Sequence, residues 1–374
     1  MIESALAYLA SIAILAMVLG AMEKFSRHKV FTYLPAVVLI YGFAMVFAQL
    51  GLWDRTEQIN ETYTLAKRYL LPAMLFLMLI RIDLKHFVLL GRKLLIAYFS
   101  AVLSIAAAFV LVFWLLGFNK DAAGVFGALA GSWTGGTANM LAVASAMNVD
   151  ESLMGYALVV DSIDYTLWVM LLLALVGAAP VFNKWIGADS PVMSALHPNP
   201  VSKKQNYFFL LALSFGVSAA AVSLSLELGG LSSTTWAVLI STLAGLLASR
   251  TRLGNLRGST ALSSAMLYLL VALIGSRASF SGFDTIPIYL FAGILILLLH
   301  AVAMIVIAKI FKLDLFSIGV ASLANIGGVA SAPILAAAYN RSLVGIAVLM
   351  AIMGYLIGTV AGLAIAAILK WIGQ

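Results

Sequence analysis

Cysteine is absent from the chain. That excludes disulfides, a thiolate metal site and a cysteine nucleophile. Four histidines leave little for imidazole ligation of a metal. Charge is scarce as well: 10% of the 374 residues are Asp, Glu, Lys or Arg, against about 25% in an ordinary soluble domain. The longest polar interval, 180–205, holds Pro191, Pro198 and Pro200 and reads as a loop near the middle of the chain. Together these shortages exclude a soluble globular enzyme, a disordered chain and a disulfide scaffold. Enzyme motifs are missing too: there is no H-E-x-x-H, no Walker A, no G-x-S-x-G and no G-x-G-x-x-G after a strand. The expectation is a protein that is not an enzyme and carries no cofactor beyond a coupling ion.

What is present is apolar. Hydrophobic residues make up 63% of the chain, and the mean hydropathy is +1.08. A spanning helix needs roughly 20 apolar residues. Runs of that kind fall at 4–22, 30–51, 66–83, 93–117, 121–147, 152–179, 206–226, 231–249, 257–276, 286–309, 315–339 and 342–370. The composition describes an all-α polytopic membrane protein whose main partner is the lipid bilayer. The net charge of +7 does not point to nucleic acid, because the Lys and Arg residues sit in short loops between apolar runs. Lys24, Arg27 and Lys29 follow the first run and Glu3 precedes it, so that run reads as a span and not as a signal peptide.

The two sides of the 180–205 interval repeat each other. Ala73–Leu79 resembles Ala265–Val271 at an offset of 192 residues. At the same offset Gly127 meets Gly319, Gly135-Gly136 meets Gly327-Gly328, and Asn148 meets Asn340. With a two-residue gap, Gly155 meets Gly345 and Tyr165 meets Tyr355. The expected organisation is a first transmembrane repeat over 1–179, a cytoplasmic linker over 180–205 and a second repeat over 206–374.

Both glycine segments are poor material for a straight helix, since a mid-helix glycine costs about 1 kcal/mol relative to alanine. Broken backbone at membrane depth is tolerated where it lines a cavity or is packed in protein. If both segments re-enter and return to their own side, the basic loops 23–29, 81–93, 180–205, 250–257 and 309–314 all fall inside. That scheme has ten spans, five per half, and an odd number inverts the second half. The expectation is therefore two inverted repeats of about five spans, each with a discontinuous (re-entrant or broken) Gly-Gly helix element, as in secondary transporters of an inner membrane.

Chemistry concentrates in three places. Asp161 and Asp164, with Ser162 and Tyr165, lie midway along an apolar run, and their i, i+3 spacing places both carboxylates on one helix face. Carboxylates at that depth are costly to insert and suit proton transfer or Na⁺ coordination. In the first glycine segment Thr134, Gly135, Gly136, Thr137 and Asn139 offer hydroxyls, an amide and broken-helix ends for a solute or ion. Asn325, Gly327, Gly328 and Ser331 supply the equivalent in the second, with Ser322 beside them. Asp161 and Asp164 align with Ala351 and Gly354, so coupling is expected to lean on the first half. The alternative reading of both glycine segments is close helix packing. His300 and Tyr355 are weaker candidates, for which packing is at least as good a reading.

The stretch Gly131–Asn139, followed by Asp161-Ser162-x-Asp164-Tyr165, resembles the DUF819 family of bacterial and plastid membrane proteins over essentially the whole chain. The resemblance implies a place in the cation/proton antiporter and bile-acid/anion transporter assemblage. It implies a scaffold domain, a core domain with two discontinuous helices and, by analogy, a homodimer. The paired aspartates of the antiporter branch resemble Asp161 and Asp164, although that pair is usually adjacent and two residues intervene here. In the related anion carriers the broken helices cross as full spans, which competes with the re-entrant scheme. The functional expectation is a secondary active transporter of a small organic solute, an anion being one candidate class, coupled to Na⁺ or H⁺ by alternating access. Its alternatives are a cation/proton antiporter without organic solute, a channel and a membrane sensor.

Overall fold

The computed structural model describes residues 2–25, 36–80, 90–188, 206–229, 232–278, 285–340 and 343–373. Arg27 and Lys29 lie outside the described residues, as do Arg81, Asp83, Lys85 and His86. Among the described residues the fold is helical with no strand, apart from an isolated bridge between Ile2 and Trp53. The helices are α1 (Ala5–Phe25), α2 (Ala36–Gln49), α3 (Glu57–Leu79), α4 (Gly91–Leu115), α5 (Lys120–Gly135), α6 (Thr137–Ala146), α7 (Glu151–Ala174), α8 (Ala179–Ile186), α9 (Tyr207–Glu227), α10 (Ser233–Ser249), α11 (Ser259–Gly275), α12 (Ile286–Phe311), α13 (Leu315–Ile326), α14 (Gly328–Tyr339) and α15 (Val344–Ile372).

Among the described residues six stretches are long and apolar enough to cross a membrane: α1, α4, α7 with its extension to Ile186, α9, α12 and α15. The chain is a multi-pass membrane protein. Lipid offers no hydrogen bonds, so a spanning segment must satisfy its backbone internally, which a helix does.

Local sequence explains four of the helix starts. The side chains of Thr56, Asn119, Ser232 and Asp314 accept the N–H groups of Ile59, Ala122, Thr235 and Ser317 at the openings of α3, α5, α10 and α13. Thr56 also explains why α3 begins well before the apolar run at 66. The expectation of a loop over 180–205 is corrected at its start. Residues 175–178 form a 3₁₀ turn and α8 continues from it, with Pro180 in its first turn and Gly187 left-handed at its end. Proline is tolerated in a first helical turn, where the missing N–H has no intrahelical partner to lose. Residues 189–205 of that interval lie outside the described residues.

The chain forms two compact units, and each takes helices from both sides of the linker. The first comprises Met1–Ile82, Ser145–Ser162 and Val201–Ile286; the second comprises Asp83–Ala144, Ile163–Pro200 and Pro287–Gln374. In the first unit α3 packs against α9, α10 and α11, and α11 packs on α1 and α2. Close approach is permitted where glycine faces a neighbour. A methyl group on Gly275 would lie 2.6 Å from the Tyr41 carbonyl oxygen, and one on Gly245 2.8 Å from Leu79 Cβ.

The second unit is built on two helical hairpins. Helices α5 and α6 turn at Gly136, whose φ of 89° is accessible to glycine and strained for other residues. They fold back so that Gly131 faces Val143. Helices α13 and α14 turn at Gly327-Gly328, with Gly328 at φ 59°. Phe316 meets Tyr339 there at a ring separation of 5.3 Å, and Gly319 faces Leu335. Helix α15 lies against both. Its Gly358, Gly362 and Ala366 meet Gly135, Gly131 and Gly127 of α5 in turn, one small residue per helical turn on each side. This lets two backbones come closer than larger side chains would permit.

Candidate functional site

The two hairpin turns converge within the second unit. A methyl group on Gly354 of α15 would sit 3.1 Å from Thr134 O and Gly135 Cα of the first hairpin, and 3.7 Å from Ala324 O of the second. Two tyrosines seal the turns crosswise. Tyr165 of α7 lies against Gly327, where any side chain would overlap its ring. Tyr355 of α15 stands beside Gly136, 3.8 Å from the place a β-carbon would take. Each tyrosine thus covers the turn that belongs to the other side of the linker.

At the first turn Thr134 and Asn139 have partners for all their polar side-chain atoms. The Thr134 hydroxyl donates to Ala130 O at 2.7 Å. The Asn139 amide nitrogen donates to Gly135 O at 2.6 Å, and its oxygen accepts the Thr359 hydroxyl at 2.6 Å. A side chain at Gly135 would overlap the Asn139 amide and the Gly354 carbonyl. Thr137 is half-buried at the start of α6.

The second turn differs. Asn325 is fully buried; its amide nitrogen donates to Ala321 O at 2.9 Å, and its Oδ1 has no hydrogen-bond partner. Ser331, the residue that matches Asn139 at the 192 offset, is 1% exposed, and its hydroxyl also lacks a partner. That hydroxyl lies against Gly327. No atom comes within 4 Å of where a β-carbon on Gly328 would stand.

Ser322 belongs to a separate network. Trp168 Nε1–H donates to Ser322 Oγ at 2.9 Å, and Ser322 Oγ lies 2.8 Å from His300 Nε2. His300 Nδ1 lies 2.7 Å from Ser104 Oγ, which donates to Ala101 O at 3.0 Å. Because indole N–H only donates and Ser104 spends its proton on Ala101, one set of directions satisfies every group. Ser322 donates to His300 Nε2, and His300 donates from Nδ1 to Ser104. The row joins α7, α13, α12 and α4 through a fully buried histidine. Neither Trp168 nor Ser104 stands out in the sequence, because each is an ordinary residue until His300 lies between Ser104 and Ser322.

Asp161 and Asp164 lie on α7 as their spacing requires. Asp164 is fully buried, Asp161 is half-buried and Ser162 is buried. The boundary between the compact units falls between Ser162 and Ile163. Among the described residues no three His, Cys, Asp or Glu side chains gather into a metal cluster.

The first unit contains a cavity of about 670 Å³ between α3, the 145–151 turn, α9 and α10. Glu151 Oε1 accepts from both Tyr63 Oη at 2.5 Å and Lys67 Nζ at 2.8 Å on its wall. Sequence reading passed over this group, since charges at segment ends are by default solvated.

No curated protein matches the chain. One family model does, described as "Protein of unknown function (DUF819)", and it covers residues 8–372. With nearly every helix inside that match, the chain belongs to the DUF819 family of multi-pass membrane proteins.

Proposed function

We propose that this protein is a secondary active transporter that moves a small organic solute by alternating access, coupled to Na⁺ or H⁺. The observation that carries the reading is the convergence of two glycine-turn hairpins on Gly354, sealed crosswise by Tyr165 and Tyr355. Helix ends meeting inside a bundle place positive N-terminal and negative C-terminal dipoles close together, which suits an anionic group and a cation. In this reading the repeats 1–179 and 206–374 are inverted, and the hairpins re-enter the membrane instead of crossing it. The second unit is the moving core, the first is the scaffold, and Asp161 and Asp164 take part in coupling. The reading places the protein in an inner membrane, as a homodimer, within the antiporter and anion-carrier assemblage.

Uptake into proteoliposomes tests it. Small carboxylates, amino acids and dipeptides are offered under an inward Na⁺ or H⁺ gradient. The expected result is saturable, gradient-driven accumulation of one class, lost in Asp161→Asn. Non-saturating flux would make the protein a channel. A second reading, cation/proton exchange without organic solute, draws on the two α7 carboxylates; proton flux driven by Na⁺ alone would favour it.

A further inference from the structure

The two hairpins share a fold but not a state of satisfaction. At the first turn every polar side-chain atom of Thr134 and Asn139 has a partner within the protein. At the second, two buried oxygens, Asn325 Oδ1 and Ser331 Oγ, have none. Buried polar atoms are nearly always paired, so two orphans flanking one turn call for a ligand. Asn325 Oδ1 can only accept, because its amide orientation is set by the donation from Nδ2 to Ala321 O. The C-terminus of α13 at this turn carries the negative end of the helix dipole. The space beside Gly328 is open.

We propose that the α13–α14 turn holds a sodium ion, with Asn325 Oδ1 and Ser331 Oγ among its ligands. Oxygen-only ligation suits a hard cation. The absence of a carboxylate cluster among the described residues favours a single charge over a double one. The first hairpin is then the locked joint and the second the ligand-bearing one. This deepens the transport reading and rests on it only for what the ion does, not for whether it binds.

The test measures thermal unfolding of the purified full-length protein in NaCl, KCl and choline chloride at equal ionic strength, with ²²Na⁺ binding at equilibrium as the direct readout. Wild type is expected to gain stability in NaCl selectively. In Asn325→Ala and in Ser331→Ala the Na⁺ concentration for half-maximal effect should rise at least about tenfold, the size expected for one lost ligand to a charge. Asn139→Ala should unfold at lower temperature in every salt yet keep its Na⁺ response. Ser331→Ala removes one oxygen and guards against a folding defect in Asn325→Ala. Unchanged ²²Na⁺ binding in both hairpin-two variants would overturn the proposal, even if Asp161→Asn abolished uptake and the transport reading stood. No Na⁺ binding in wild type would overturn it too, because water alone would then occupy the turn. Sodium binding that depends on Ser331 in a protein with no measurable transport would sustain the site and sink the transport reading.

Discussion

The α5–α6 and α13–α14 hairpins each turn on a single residue within a glycine pair, and both lie against α15. Yet the first is closed by its own hydrogen bonds and the second is not. The difference lies in what stands one turn beyond the glycines. Asn139 offers both a donor and an acceptor and uses each, toward Gly135 O and Thr359 Oγ1. Ser331 offers one hydroxyl and finds no partner for it. The first hairpin completes its own hydrogen bonds at Asn139, and the second leaves Asn325 Oδ1 and Ser331 Oγ without partners.

Steric load should separate the hairpins most. Gly358→Leu would drive a side chain into the Gly135 backbone and the Asn139 amide. Overpacking of this kind costs about 1–3 kcal/mol and occasionally more, and here the obstacle is backbone; loss of folded, monodisperse protein on size exclusion is expected. Gly328→Ala meets open space and carries only the left-handed backbone penalty, about 1–2 kcal/mol. Equal yields of the two variants would break the comparison.

Polar deletions come next. Thr359→Val leaves Asn139 Oδ1 buried without its donor, at a cost of about 1–3 kcal/mol. Ser331→Ala removes a hydroxyl that already lacks a partner, so in choline its melting temperature should stay within about a degree of wild type. A large drop in Ser331→Ala without sodium would mean that the second turn, too, is held by its own bonds. His300→Phe should fall in the same range as Thr359→Val, because Ser322 loses its buried acceptor and Ser104 its donor. The smallest effect, about 1 kcal/mol or less, is expected for Lys67→Met. That ion pair to Glu151 is about a quarter exposed on both sides, and thermal unfolding at low and high salt would check it.

Much of this architecture is legible in the chain. Scarce charge and repeated apolar runs require helices in lipid, and the structure bears that out. The glycine pairs mark where two of those helices turn, since a φ above zero is cheap for glycine alone. The four-residue spacing of Gly127, Gly131 and Gly135, and of Gly354, Gly358 and Gly362, was a further signal; read as a stripe, it anticipates the α5–α15 contact. Helix α8 was hidden because three prolines and several polar residues further along the interval outweigh Pro180, whose place in a first turn is harmless. The Glu151 cluster was hidden because Lys67 and Glu151 stand 84 residues apart.

Sequence alone determined that this is an all-helical membrane protein with two glycine turns and a carboxylate pair on one helix face. Composition and spacing act locally, within a helix or a turn, and suffice for that. Which turn completes its own hydrogen bonds and which does not was decided only by tertiary structure. Asn139 is satisfied by a hydroxyl 220 residues away, and Ser331 lacks any such partner. Hydrogen-bond completion in a buried site depends on which side chains the packed helices bring together, and no local pattern carries that information.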